Sequence, residues 1–218
     1  METKININII SAYCKNNGIG FNNDMPWKFK SDLNKFKSLT TGNKNNAIIM
    51  GKNTWNSLNN KSLKYRDNLI LSKSIVIDYL DNNNITKSFN TYETLYRFLI
   101  LKEYDEIWII GGESIYKQFF ELHCKKYLFN INKIYITYIN KLYNCDTFFP
   151  KIDPTIFKFI SNEIHRDYNN LNKLISINND NNNNNDNNDN NDNKDNNDIN
   201  NENLHSKYLL FDVLYESI

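Results

Sequence analysis

Two short apolar runs, Ala47 to Met50 and Ile107 to Ile110, each stop at glycine, the first at Gly51 and the second at Gly111-Gly112. A run with no polar alternation suits a strand buried on both faces. Helical spacing resumes after each glycine. Thr54 to Leu58 reads as a short helix, and Ile115, Phe119 and Leu122 mark a longer one. Leu69 to Leu71 is another buried strand, and Thr91 opens a helix carrying Leu95, Phe98 and Leu99. Strands and helices that alternate in this way form βαβ units around a mainly parallel sheet.

The two ends of the chain complete the pattern. Ile5, Ile7 and Ile9 alternate with Asn6 and Asn8, as in a first strand, and a polar, glycine-containing loop follows from Lys15 to Gly20. Ser31-Asp32 then opens a helix with Leu33, Phe36 and Leu39 on one face. Lys133 to Ile139, Phe157 to His165 and Lys207 to Tyr215 read as strands with no helices between them. Phe157-Phe159 and Leu209-Phe211-Val213 are expected antiparallel partners. The expectation is a single-domain α/β fold with a mixed, mainly parallel sheet of about eight strands, flanked by helices and closed by a C-terminal antiparallel hairpin.

A chain of 218 residues suits one domain, here 1–218, carrying an insertion. Residues 178–203 contain only Asn, Asp, Glu, Lys and one Ile. Such a segment buries too little apolar surface to offset its ordering entropy, so it is expected to be disordered, between the last two strands. Closure entropy grows only logarithmically with loop length, so an inert expansion there costs little. The segment also hides a charge asymmetry. It holds seven acids and one base, leaving 25 bases and 18 acids elsewhere, so the +1 total conceals a body of +7. Such a body could bind phosphates, carboxylates or nucleic acid, but dispersed lysines read first as a solvated surface. With no aromatic-basic motif, nucleic acid is not an expected partner.

Cys14, Cys124 and Cys145 are odd in number and widely spaced, which argues against a disulfide framework or a zinc site and fits a reducing compartment. His123, His165 and His205 also lack metal-ligand spacing, so no metal is expected. Met1 leads almost directly into the first strand, with no signal-like apolar segment and no run long enough to span a membrane. A soluble, cytoplasmic protein is expected.

Asp32 follows Met25-Pro26-Trp27 at the mouth of the first loop. One carboxylate at a helix start reads most simply as an N-cap. Its company points further: Leu33, Phe36 and a tryptophan would make an apolar pocket, where a lone acid can hold a cationic or amidine-like heterocycle. Gly111-Gly112 lies at a strand's carboxyl end ahead of a helix, where backbone can approach a pyrophosphate. It is not the G-x-G-x-x-G fingerprint, so a Rossmann site is not supported. Gly51-Lys52-Asn53-Thr54 repeats the arrangement, and Ser72-Lys73 lies just past another strand. Together these turns would form a phosphate-binding rim.

These residues resemble a known family. Ile19-Gly20, Met25-Pro26-Trp27, Asp32-Leu33 and Phe36-Lys37 look like the amino-terminal signature of the dihydrofolate reductases. Met50-Gly51-Lys52 with Thr54-Trp55 and Ser57, then Asn68 to Ser72, then Ile110-Gly111-Gly112 with Ile115-Tyr116 follow in the family's order. Ile136-Thr137, Asp146 to Pro150 and the final Tyr208 to Leu214 strand complete the likeness, which covers nearly everything outside the Asn-rich insert.

The resemblance implies reduction of 7,8-dihydrofolate by NADPH, with hydride transfer to pterin C6 and protonation at N5, in support of thymidylate and one-carbon metabolism. It implies that Asp32, Trp27 and Thr137 are the catalytic group. Asp32 would bind the pterin's 2-amino group and N3 with help from Thr137, while Trp27 would shield the site and hold a water. Ile10, Ala12, Leu33, Phe36, Leu58 and Ile110 would line the substrate pocket, and Arg66 would pair with the glutamate tail's α-carboxylate. Lys52, Asn53, Thr54, Ser72 and Lys73 would surround the cofactor's phosphates. Ala12, Ile19, Gly20, Gly51, Gly111, Gly112, Glu113, Ser114, Ile115 and Tyr116 would complete its site. Members carry a cis peptide at the position of Gly111-Gly112, and the loop from Asn16 to Asp24 would close over the nicotinamide. Antifolates would bind too. A monomer is implied, unless the domain is fused to or associated with thymidylate synthase.

Two places depart from the family pattern. Ser62-Leu63-Lys64-Tyr65-Arg66 stands where many members have Pro-Leu-Pro-x-Arg, so Arg66 should be less rigidly presented. Glu113 stands where some relatives carry a cation facing the phosphates. It should point away, or leave phosphate affinity to Lys52 and Lys73. Two rival functions are a reductase of another pterin or pyrimidine and a silent binding module. Asp32 counts against the first, and Asp32, Trp27 and Thr137 together count against the second.

Overall fold

The computed structural model describes residues 3–43, 45–81, 83–166 and 209–218. From the amino terminus the elements are β1 (Ile5–Cys14), β2 (Gly18–Gly20), α1 (Lys30–Thr41), β3 (Asn46–Gly51), α2 (Lys52–Ser57) and β4 (Asp67–Leu71). Then come β5 (Asp78–Asp81), β6 (Asn84–Phe89), α3 (Tyr92–Leu99), β7 (Glu106–Gly111) and α4 (Glu113–Cys124). The chain closes with β8 (Phe129–Ile139), β9 (Thr147–Phe148), β10 (Phe157–Arg166) and β11 (Leu209–Ser217). The expected insertion at 178–203 lies outside the described residues.

Nine strands form one sheet in the order β10-β11-β8-β1-β7-β3-β4-β6-β5. The six central strands, β8 to β6 in that order, pair in parallel, while β5 and the β10–β11 hairpin are antiparallel edges. The mainly parallel sheet and the antiparallel hairpin match the sequence reading. The β5–β6 edge pair does not come from it: all four β5 residues are exposed, so the strand has no apolar signature.

Period-two geometry explains why the apolar run of β3 is buried on both faces. In β3, Ala47 and Ile49 enter one core with Ile7, Ile9, Leu69, Leu95 and Phe119, under α3 and α4. Ile48 and Met50 enter the opposite core with Ile10, Trp55, Ile70 and Trp108, beneath α1 and α2. Both faces are covered, so even a polar residue of β1, Asn8, is drawn in, while Asn6 near the strand's start stays exposed. Asn8 is buried, donates to Glu106 Oε1 at 3.3 Å and accepts from Asn132 Nδ2 at 3.4 Å. A third cluster, Cys14, Trp27, Phe29, Ile139 and Leu210, packs where β1 runs out toward the hairpin. No helix among the described residues is long and apolar enough to cross a membrane.

The helix starts differ in kind. Thr91 caps α3 with a reciprocal box to Thr94, which matches its place at the head of that pattern. α1 begins one residue before Ser31, with Phe29 as an N-cap whose side chain makes no capping bond. Asp32 therefore lies inside the first turn and is not the cap, although a carboxylate there still complements the positive end of the helix.

Candidate active site

The carboxyl ends of β1, β7, β3 and β4, adjacent in the sheet, open onto one cleft of about 1070 Å³. This is where an open α/β sheet collects ligands. Of the site residues expected from the sequence, all lie on its wall except Trp27, Gly111 and Thr137. The wall also holds Met25, Lys37, Leu63, Ser74, Tyr92 and Lys117, to which sequence reasoning assigned no role. Lys37 had a visible signal, one helical turn past Leu33. Ser74 lies in the connection after β4, and Tyr92 opens α3.

One end of the cleft is built from side chains. α1 contributes Asp32, Leu33 and Phe36, and Leu33 is 47% exposed because it faces the open cleft. Leu58 follows α2, and Arg66 comes from the connection into β4. Arg66 is only 4% exposed, with its guanidinium 5.8 Å from the Phe36 ring centre. Its Nε donates to Lys64 O at 3.1 Å and its Nη1 donates to Thr40 Oγ1. No carboxylate among the described residues forms an ion pair with it, and burial lowers its pKa to about 10. A buried cation held by neutral acceptors is poised for an anionic ligand.

Where many members have prolines, a buried side chain holds the turn before Arg66. Asn68 is fully buried, and its Nδ2 donates to Leu63 O at 3.0 Å and Arg66 O at 2.9 Å. Its Oδ1 accepts from Leu63 N–H at 2.9 Å. One side chain, two to five residues away, thus clamps the 63–66 turn from inside, a support that the departure from the proline pattern did not suggest.

The other end is built from backbone. Gly111-Gly112 is a cis peptide, and Gly111 has φ +111°, a conformation that L side chains rarely adopt. A Cβ on Gly111 would stand 3.1 Å from the Tyr116 ring, and one on Gly51 would stand 2.8 Å from Ile115 Cγ1. The ends of β3 and β7 therefore press directly on the first turn of α4. Tyr116 ties this corner to β1 by donating to Ile10 O at 2.9 Å, and burial keeps its phenol neutral by raising its pKa. Around the backbone stand exposed cations: Lys52, whose Nζ donates to Ser74 Oγ at 3.0 Å, and Lys73.

Glu113 is on the wall, but its charge is engaged. It pairs with Lys117, and its other oxygen accepts from Phe148 N–H at 2.8 Å. Partial burial raises its pKa, but these partners outweigh that and leave the carboxyl below its ordinary value. Of the two expected outcomes, this geometry corresponds to a Glu113 turned to protein partners.

Trp27 and Thr137 stand behind the wall. Trp27 is 4% exposed, packs on Tyr143 at 5.3 Å, and has a buried Nε1 with no acceptor among the described residues. Thr137 Oγ1 donates to Asp212 Oδ1 at 3.4 Å, across the β8–β11 pair. Lys35 Nζ grips the same oxygen at 2.7 Å. Neither Asp212 nor Lys35 drew notice in the sequence, because the link joins β8 to β11 across 75 residues and then β11 to α1.

A family model described as "Dihydrofolate reductase" matches residues 6–179. A dihydrofolate reductase of Heliothis virescens is 32% identical over 170 residues, covering 74% of this chain and 88% of that protein. A bifunctional dihydrofolate reductase-thymidylate synthase of Plasmodium berghei is 34% identical over 137 residues, covering 60% of this chain and 22% of that protein. Among solved structures, a dihydrofolate reductase from Enterococcus faecalis complexed with NADP(H) aligns with TM-score 0.61 and 18% identity. That alignment covers 97% of this chain and 95% of that one, a likeness of fold.

Proposed function

The chain belongs to the dihydrofolate reductase family, and from that premise we propose that its cleft carries out the NADPH-dependent reduction of 7,8-dihydrofolate to tetrahydrofolate. The observation that carries the assignment to this site is a pairing of opposite chemistries in one cleft. An acid occupies one end with a buried guanidinium that pairs with no carboxylate among the described residues, and a glycine cradle rimmed by lysines occupies the other.

The glycine end fits the cofactor. Gly51, Gly111 and Gly112 bring backbone close to the wall, and Lys52, Asn53, Thr54, Ser72 and Lys73 supply cation, amide and hydroxyl donors for phosphates. A basic rim of this kind favours NADPH over NADH. The bound cofactor supplies the hydride that pterin C6 receives.

Asp32 holds the pterin's 2-amino group and N3, and its negative charge favours the protonated ring, so that a water can deliver the proton to N5. Trp27, whose buried indole N–H has no acceptor among the described residues, suits the task of fixing that water. Thr137 donates to Asp212, which leaves a lone pair of its oxygen for an incoming amino group. Leu33, Phe36, Leu58, Ile10, Ala12 and Ile110 keep the reacting ring dry, and Arg66 takes the glutamate tail's α-carboxylate in a two-pronged pair. The loop from Asn16 to Asp24, with Ile19 and Gly20 on the wall, closes over the nicotinamide and excludes solvent.

The chain is read as one domain whose Asn/Asp-rich segment is an inert insertion. It would act as a cytoplasmic monomer on small molecules, antifolates among them, unless joined to or associated with a thymidylate synthase. The bifunctional Plasmodium relative is the reason to test that association. Loss of NADPH absorbance in the presence of dihydrofolate, run beside Asp32→Asn, tests the site. Turnover that collapses in the variant supports it, and turnover unchanged in the variant removes Asp32 from the mechanism.

A further inference from the structure

Cys14 closes β1 and is fully buried, whereas Cys145 is half-buried in the segment between β8 and β9. The two are 131 residues apart in sequence, yet their sulfurs lie 3.8 Å from one another. A disulfide holds its sulfurs about 2.05 Å apart, so joining them needs a shift of roughly 2 Å. Cys14 Sγ also donates to Asn16 Oδ1 at 2.7 Å, which fixes its direction at the root of the following loop.

What surrounds Cys145 gives the pair its consequence. A Cβ on Gly18 would lie 2.5 Å from Cys145 Cβ, so β2 rests directly on this cysteine. The next residue, Asp146, donates its N–H to Gly20 O at 3.0 Å, and its carboxylate accepts from Asn22 N–H at 2.9 Å. Phe149 N–H donates to Asn17 O at 2.8 Å. The 145–149 segment is thus the seat of the loop whose Gly20, Asn23 and Asp24 line the cleft.

We propose that Cys14 and Cys145 form a reversible disulfide with a low-molecular-weight disulfide as oxidant, and that this bond fixes the seat of the loop and slows turnover. Cys145, the more accessible thiol, loses its proton and attacks the oxidant's sulfur, forming a mixed disulfide and releasing one small thiolate. Cys14 then loses its proton and attacks the Cys145 sulfur, releasing the second. The protein gives up two electrons and two protons, and the oxidant becomes two thiols. Burial and the hydrogen bond with Cys14 push the Cys145 thiol up to about 11, so exchange is slow and a brief oxidant pulse leaves the pair reduced. Cys124, exposed at the end of α4, lies outside the pair and serves as an internal control.

The cross-link stands on geometry alone, whereas the effect on turnover rests on the reductase reading. The full chain is held in excess glutathione disulfide, alkylated, digested and mapped by mass spectrometry, with NADPH consumption followed in parallel. Expected are a Cys14–Cys145 linked peptide and a rate lowered about threefold or more, restored by dithiothreitol. Cys124→Ser should behave like the parent, and Cys145→Ser or Cys14→Ala should lose both the linked peptide and the response. Glutathione adducts confined to Cys124, or a linked peptide with an unchanged rate, would overturn the proposal. A chain that forms the linked peptide but never consumes NADPH would overturn the reductase reading and the slowing of turnover together, leaving only the cross-link.

Discussion

The two ends of the cleft are built from different materials. The Asp32 end is made by individual side chains on α1, α2 and the turn before β4, each with a separate task. The glycine end is made by backbone pressed onto α4, with lysines spread around it. A site of the first kind is vulnerable wherever one functional group is removed. A site of the second kind tolerates the loss of a charge but not the addition of a methyl.

The largest expected effect tests the first half of that contrast. Asp32→Asn should lower the turnover of dihydrofolate by roughly 100-fold or more while NADPH affinity stays within about twofold. Equal damage to both, measured by steady-state rates and NADPH titration, would mean that the two ends are not separable. Gly111→Ala tests the second half. With φ at +111° and Tyr116 at 3.1 Å, the added Cβ should cost about 1–3 kcal/mol in urea unfolding and weaken NADPH binding at least as much as dihydrofolate binding. Normal stability in that variant would show that the corner is looser than described.

Arg66→Lys should raise the KM for dihydrofolate about tenfold with little change in kcat, because a point charge replaces a two-pronged donor. Asn68→Ala should reproduce part of that rise and also cost about 1–3 kcal/mol of stability, since three hydrogen bonds to the turn depend on one buried amide. The smallest effects belong to the rim. Lys52→Ala or Lys73→Ala alone should raise the KM for NADPH only a few-fold, and added salt should shrink the difference. A loss of 100-fold from either would mean that the phosphates depend on one residue.

Much of this arrangement was legible in the sequence, for reasons the residues make plain. Apolar runs that end at Gly51 and at Gly111-Gly112 announce buried parallel strands and the place where ligands gather. Asp32 among Leu33 and Phe36 announces an acid in an apolar site. What escaped depends on burial or on contacts between elements that residue type alone does not announce. The exposed β5 carries no burial pattern, so nothing marks it as an edge strand. The clamp by Asn68 looks from sequence like one more asparagine in an asparagine-rich chain, and only its burial distinguishes it. The Lys35–Asp212–Thr137 chain requires knowing that β11 lies beside β8, and the meeting of Cys14 with Cys145 requires the loop that folds between them.

The central claim is that both ends serve one reaction. Its most direct test is NADPH consumption by the full chain with dihydrofolate, with NADH run alongside. The account predicts turnover that needs dihydrofolate and is much faster with NADPH than with NADH. A folded chain that binds NADPH yet leaves dihydrofolate untouched would contradict it.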